Sequence, residues 1–277
     1  MPITTFWSNN RETIGQTVAA ACMATEMTIE HNYKVLLVSA DFNNNTMLDC
    51  FGAQESNKEI LKGLIRKPQI NLDSGINGLL KMANSNRVTP EIIHDYTKIV
   101  FSNRLEVLYS PNNINEKDQN DTMEKIKNII MNAARYYDQV IVDLKKELKI
   151  SEQLEILQMS DIIVLNIDQR LNKIEETFQI KEINNMYDKI LWNICKYDKN
   201  SKYNSKNLLR TVLKKQTVCE TPYNTLIYDA CGEGKLAEVL LNFKTLREED
   251  ENLMFVNRMK ELQESVLLRY QERRARL

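Results

Sequence analysis

The run KVLLVSAD at 34–41 is apolar without the alternation a half-exposed strand needs. A strand apolar on both faces has to be covered on both, which is the situation of a parallel sheet flanked by helices. The pattern recurs: ITTFWS (3–8) opens the chain, and LEVLYSP (105–111), QVIVDL (139–144), DIIVLNI (161–167), KILWNICKY (189–197) and QTVCETPY (216–223) follow, with helical patterns between them. Strand, helix, strand repeated this way implies right-handed crossovers and an α/β fold: a doubly wound, mostly parallel sheet with helices on both faces. Ligands of such sheets bind at the carboxyl ends of the strands. There the loop 8–17 meets the residues that follow 34–41 and 139–144.

The first helix is expected from Gly15 to Glu30, with Val18, Ala21, Cys22 and Met23 as its apolar residues. The stretch 43–104 is irregular, contains Pro68, Pro90 and the loop-like NLDSGING, and reads as a helical excursion beside the sheet. Residues 112–121 read as a polar loop. From Arg247 to Leu277 the chain reads as one helix, with Phe255, Met259, Leu262, Val266 and Tyr270 near a single stripe and RRAR at its end. Two units follow: 1–246 and the C-terminal helix 247–277. That helix could pack on its own domain, pair with a protein partner or lie on a membrane. Its acidic REEDEN start disfavours anionic lipid, which leaves protein contacts.

A domain of 277 residues buries roughly 75% of its unfolded surface, so a core of its own is expected. No apolar run approaches the roughly 18–20 residues of a membrane span, so no integral membrane segment is expected. The start MPITTFWSNN lacks a signal-peptide pattern, and five cysteines without a CxxC spacing read as reduced thiols rather than zinc ligands. Both point to the cytoplasm. A net charge of −1 gives no global argument for nucleic acid.

The stretch FWSNNRETIGQTVAAACMA (6–24) stands where a phosphate loop would. Such a loop follows GxxxxGK[ST]: glycines let backbone amides close on phosphate oxygens, the lysine neutralises them, and the hydroxyl holds Mg²⁺. Here the spacing is kept as Asn10, four residues, Gly15, Gln16 and Thr17, without the lysine.

At these residues the chain resembles the MinD/ParA group of NTPases, whose deviant loop reads xKGGxGK[ST] and carries a signature lysine that reaches the partner subunit's nucleotide. The resemblance puts Arg11 at the signature lysine, Glu12 and Thr13 at the paired glycines and Gln16 at the loop lysine. KVLLVSADFNNNT resembles the strand that ends in the acidic switch residue, here Asp41, with Ser39 replacing an earlier aspartate. YYDQVIVDLKK resembles FDxVIIDxPP, with Asp143 at the metal-associated aspartate and Lys145 and Lys146 in place of the prolines. The stretches 193–210 and 221–243 look most like Gram-positive members of the TadZ/CpaE branch, and the likeness spans about residues 3–243.

The resemblance implies ATP and Mg as cofactors. Asn10, Arg11, Glu12, Thr13, Ile14, Gly15, Gln16, Thr17 and Asn193 would hold the nucleotide; Thr17, Asp41 and Asp143 would hold the metal, with Asp41 as catalytic group. The departures argue the other way. Losing a lysine that faces phosphate removes a charge-assisted bond worth roughly 1.5–3 kcal/mol, Glu12 adds repulsion, and Thr13 brings a Cβ where close approach wants none. The expectation is a pseudo-ATPase with weak or absent ATP binding, acting as a dimeric localisation or scaffold component of a pilus, secretion or conjugation system. It would be a cytoplasmic homodimer recruited to a membrane-associated machine. The alternatives are an ATP-dependent dimerisation switch with slow hydrolysis, closed through Arg11, and a DNA-partition protein using surface lysines; DNA is not favoured. Trp7 reads as a core or interface aromatic, His94 as structural, and the basic KNSKYNSKNLLR (199–210), like Lys145 and Lys146, as solvated surface. Ser8 and Ser39 have no histidine placed as a base, so hydrolase chemistry has no support.

Overall fold

The computed structural model describes residues 2–10, 14–41, 45–52, 75–83, 88–109, 119–144, 150–214 and 216–276. Its strands are β1 (Ile3–Trp7), β2 (Val35–Ala40), β3 (Lys98–Phe101), β4 (Leu105–Leu108), β5 (Gln139–Leu144), β6 (Ile162–Ile167), β7 (Ile190–Tyr197) and β8 (Val218–Pro222). They form one sheet in the order β3-β4-β2-β5-β1-β6-β7-β8. Every pairing is parallel except β3 with β4. Strands β1, β2, β5 and β6 are buried along their whole length, as the unbroken apolar runs require.

Strand β1 sits between β5 and β6, so the crossover from β5 to β6 passes over it. The chain thereby changes from one half of the sheet to the other at β1, and the loop after β1 lies at this switch point. Helix α1 (Gln16–Glu30) follows that loop and is buried on nearly every side from Gln16 to Thr28. Ala19, Ala20, Ala21 and Ala24 let it lie close on the sheet, while the C-terminal helix Leu253–Arg274 packs on its outer side and on β8. Hydroxyls inside α1 find partners in the preceding turn: Thr25 Oγ1 donates to the Ala21 carbonyl at 2.8 Å and Thr28 Oγ1 to that of Thr25 at 2.7 Å.

Two apolar clusters fill the two faces of the sheet. Phe255, Met259, Leu262 and Val266 are buried in the one that contains α1, and Tyr270 packs against it, so the stripe expected at 247–277 covers the chain's own domain. The helix itself begins at Leu253, and 247–252 form turns before it. Two other boundaries differ from the sequence reading. A helix, Gln119–Ala133, starts inside the stretch read as a loop at 112–121. The excursion 43–104 contributes β3, whose half-exposed residues pair antiparallel on the sheet edge. Among the described residues no helix is long and apolar enough to cross a membrane.

Candidate functional site

The period-2 alternation of β5 divides QVIVDL between the two faces: Val140, Val142 and Leu144 belong to one cluster, and Ile141 to the cluster beneath α1. Asp143 shares the face of Ile141 and is 1% exposed. A carboxylate so buried needs donors, and the first turn of α1 supplies them. Gln16 Nε2 donates to Asp143 Oδ1 at 2.6 Å, and Thr17 Oγ1 donates to Asp143 Oδ2 at 2.7 Å.

The Gln16 amide nitrogen also lies 3.2 Å from the Phe6 carbonyl and 3.1 Å from that of Leu144. Its two protons are therefore divided among three acceptors, while its own Oε1 is buried with no hydrogen-bond partner among the described residues. The geometry around Nε2 is one that an ammonium, with three protons, would satisfy more completely.

Gly15 precedes this turn with φ 96° and ψ 14°, a left-handed conformation in which glycine carries no Cβ penalty, and among the described residues no side chain caps the helix. The first amides of α1 thus face the loop. Ile14 is buried. Asn10 is tied to residues that follow β1 and β6: its backbone amide donates to Ser8 Oγ at 3.0 Å and its Nδ2 to Asp168 Oδ2 at 3.1 Å. Arg11, Glu12 and Thr13, and likewise Lys145 and Lys146, lie outside the described residues.

Asp41 follows the end of β2, two residues beyond Ser39, which is the register partner of Asp143 on β5. Both Asp41 and Ser39 are buried. Thr17, Asp41 and Asp143 are thus carried to one rim of the sheet. Among the described residues no group of three or more His, Cys, Asp and Glu side chains is arranged to hold a metal ion.

Asn193 is fully buried and both ends of its amide are used. Its Nδ2 donates to Asn166 Oδ1 at 2.9 Å, and its Oδ1 accepts from Thr221 Oγ1 at 3.0 Å. Asn166 Nδ2 in turn donates to the Trp7 carbonyl at 3.3 Å. A polar ladder so crosses β1, β6, β7 and β8 just below the rim. Asn166 was not singled out from the sequence, although an asparagine inside the apolar run IIVLNI is the signal that would have found it.

Beside Gly15 is a cavity of about 110 Å³, several times the roughly 10–15 Å³ that one water needs. Val18, Cys195, Lys196, Pro222, Tyr223 and Phe255 are among its walls. Lys196 holds φ 51°, uncommon for a residue with a Cβ. Trp7 is 1% exposed and bonded through Nε1 to Gln153 Oε1, a core position. His94 is bonded to the buried Glu106 at 2.9 Å, away from the loop.

A sheet of this order, with a loop and helix at its switch point, defines the fold of the MinD/ParA P-loop ATPases. Solved structures of that group match nearly the whole chain. MinD of Pyrococcus horikoshii OT3, complexed with Mg-ADP, superposes with a TM-score of 0.65 at 14% identity, covering 97% of this chain and 98% of that one. A plasmid partition protein of Borrelia burgdorferi B31 bound to AMPPNP gives 0.61 at 17%, covering 98% and 99%. A ParA family ATPase of Chlorobium tepidum TLS gives 0.61 at 14%, covering 88% and 99%. No protein-family model and no curated protein matches the chain.

Proposed function

We propose that this chain is a MinD/ParA-type protein that has become a pseudo-ATPase and serves as a dimeric localisation or scaffold component of a pilus, secretion or conjugation machine. The observation that carries the first half is Gln16. A neutral amide stands where a phosphate loop has its lysine, and it is engaged with Asp143 and two carbonyls. With Thr17 on the other oxygen, the chain's own donors reach both oxygens of the carboxylate that a metal ion would use. The described residues of the loop therefore fit a Mg-triphosphate poorly. The second half rests on the resemblance of 193–210 and 221–243 to the TadZ/CpaE branch.

The cavity beside Gly15 favours a second reading, an ATP-dependent dimerisation switch. It adjoins the amides of α1 and is walled largely by apolar side chains, as a base would require. Titration calorimetry with ATP and Mg²⁺, on the wild type and on Arg11→Ala, separates the two. The pseudo-ATPase reading expects no heat and no thermal protection, since a ligand at 100 times its Kd would stabilise the fold by about 2.7 kcal/mol. Micromolar binding that weakens in Arg11→Ala would establish the switch instead.

A further inference from the structure

The side-chain hydrogen bonds laid across β1, β6, β7 and β8 run in one direction, and the backbone fixes which. The amide of Asn166 lies 3.3 Å from the Trp7 carbonyl and 2.9 Å from that of Val164. Carbonyls only accept, so the end turned to them is Nδ2, and both of its protons are used there. Asn166 Oδ1 therefore faces Asn193 and accepts from Nδ2 at 2.9 Å. Asn193 Oδ1 is left toward Thr221, whose hydroxyl donates its one proton to it at 3.0 Å. The remaining proton on Asn193 Nδ2 reaches Cys195 Sγ at 3.4 Å, and the Cys195 thiol donates to Asn166 Oδ1 at 3.3 Å. Each polar proton on these four side chains is thereby engaged within the sheet.

Thr221 and Cys195 are also walls of the cavity beside Gly15. Thr221 stands two residues beyond Cys219, and Cys195 and Cys219 belong to the apolar cluster that contains α1, so both side chains are on the cavity's face of the sheet. With their protons spent, they offer the cavity lone pairs: a hydroxyl oxygen and a weakly accepting sulfur. Pro222 beside them has no amide proton to give. The donors of the lining, Lys196, Tyr223 and Tyr228, are exposed, whereas Thr221 and Cys195 are buried. The described walls include no Asp or Glu, so a cationic ligand would be desolvated without a counter-charge.

We propose that this cavity takes a flat heteroaromatic ring bearing a neutral amino group, and that Thr221 Oγ1 is the specificity-determining acceptor of that group. An amino group conjugated to such a ring keeps its protons to donate without carrying charge, which an aliphatic ammonium cannot do. Val18, Ile227 and Phe255 supply apolar walls for the ring. A methyl group in the amino position would leave the buried Thr221 oxygen facing the ring without a donor, and an oxo group would set oxygen against oxygen. Asn193 acts here as a positioning residue: it holds the Thr221 proton and does not itself read the ring. The inference rests on that part of the second reading which gives the cavity a ligand. It requires neither metal nor triphosphate, so a loop that binds neither is compatible with it.

The test is a ligand-observed NMR titration of the full chain with two bases of the same shape: adenine, and its analogue with methyl in place of the amino group. Adenine is expected to bind the wild type, and the methyl analogue about tenfold more weakly. Thr221→Val, which keeps the side chain's shape and removes its oxygen, should weaken adenine to the level of the analogue and leave the analogue unchanged. Thr221→Ser should keep the preference. Circular dichroism checks that both variants are folded, and the comparison of the two bases on the wild type needs no variant. A wild type that binds neither base, or both equally, overturns the inference, as does a preference that survives Thr221→Val. ATP with Mg²⁺ is titrated alongside: micromolar ATP binding together with the amino preference removes the pseudo-ATPase reading and supports this one, whereas silence toward all three ligands overturns this inference and leaves the pseudo-ATPase reading standing.

Discussion

Gln16 Nε2 lies 2.6 Å from Asp143 Oδ1, so the first residue of α1 is bound to the next-to-last residue of β5 by an amide that carries no charge. The bond joins two elements 127 residues apart and holds the start of the helix down on the sheet.

Replacing that amide by an ammonium tests its consequence for phosphate. In Gln16→Lys the surrounding acceptors, the Phe6 and Leu144 carbonyls and Asp143, can take three protons instead of two. A charge-assisted phosphate bond contributes roughly 1.5–3 kcal/mol. Affinity for ATP and Mg²⁺ should therefore rise about tenfold to a hundredfold by calorimetry. An unchanged isotherm from a folded variant would show that the lysine is not what the loop lacks.

Glu26 on α1 gives a pH dependence of unusual sign. Burial, reinforced by Glu30 and partly offset by Lys260 and Lys244, pushes its carboxyl up to about 7. The unfolded chain releases this proton near pH 4.3, so between that value and about 7 the folded state binds more protons. Stability must fall as pH rises through this window and stay lower above it. Glu26→Gln should be more stable than the wild type at pH 8, on the order of 3 kcal/mol, with the difference gone at pH 4. Urea midpoints at the two pH values decide it.

Glu106 behaves in the opposite way. Burial alone would raise its carboxyl, but hydrogen bonds from Tyr137, His94 and Thr97, with Lys34 nearby, outweigh it and hold it below the usual range. The stabilisation is present above about pH 4.3 and is lost as pH falls through the folded value. Glu106→Gln, which breaks a buried charged network, should cost about 3–5 kcal/mol at pH 7. Denaturation curves should show the gap to wild type narrowing as the pH is lowered to 3.5.

Two glycines with positive φ should respond differently to alanine. At Gly15, φ 96°, an added Cβ comes no nearer than 4.0 Å to Cys195 and Lys196, so only backbone conformation is penalised, about 1–2 kcal/mol. At Gly234, φ 73°, it would fall 2.1 Å from the carbonyl oxygen of Gly52. That collision adds an overpacking cost, for a total of about 3 kcal/mol or more. Equal losses in urea unfolding would mean that Gly52 moves freely.

The sheet was legible because its central strands are apolar on both faces, a pattern that leaves few alternatives. Gln16, Thr17 and Asp143 could be placed together because a strand, a loop and a helix with known spacing bring them to one rim. Edge strand β3 escaped notice because KIVF is short and half-exposed, with little periodicity to read. The start of α1 was read within one residue. What Gln16 does there was not, because an amide's choice among Asp143, Phe6 and Leu144 depends on contacts across the sheet that no local pattern encodes. The cavity beside Gly15 was missed for the same reason: Lys196, Tyr223 and Phe255 become neighbours only when β7, β8 and the C-terminal helix are side by side.

The ladder from the Trp7 carbonyl through Asn166 and Asn193 to Thr221 spans four strands with side chains that have no room to swing. It ties the floor under the loop to β8 by side-chain hydrogen bonds laid across the sheet, in addition to the backbone bonds of the strands themselves. A substitution at Thr221 therefore removes a partner from a chain of amides whose other end is the last residue of β1. The far edge of the sheet is part of the loop's foundation, whatever the loop has kept of its ligand.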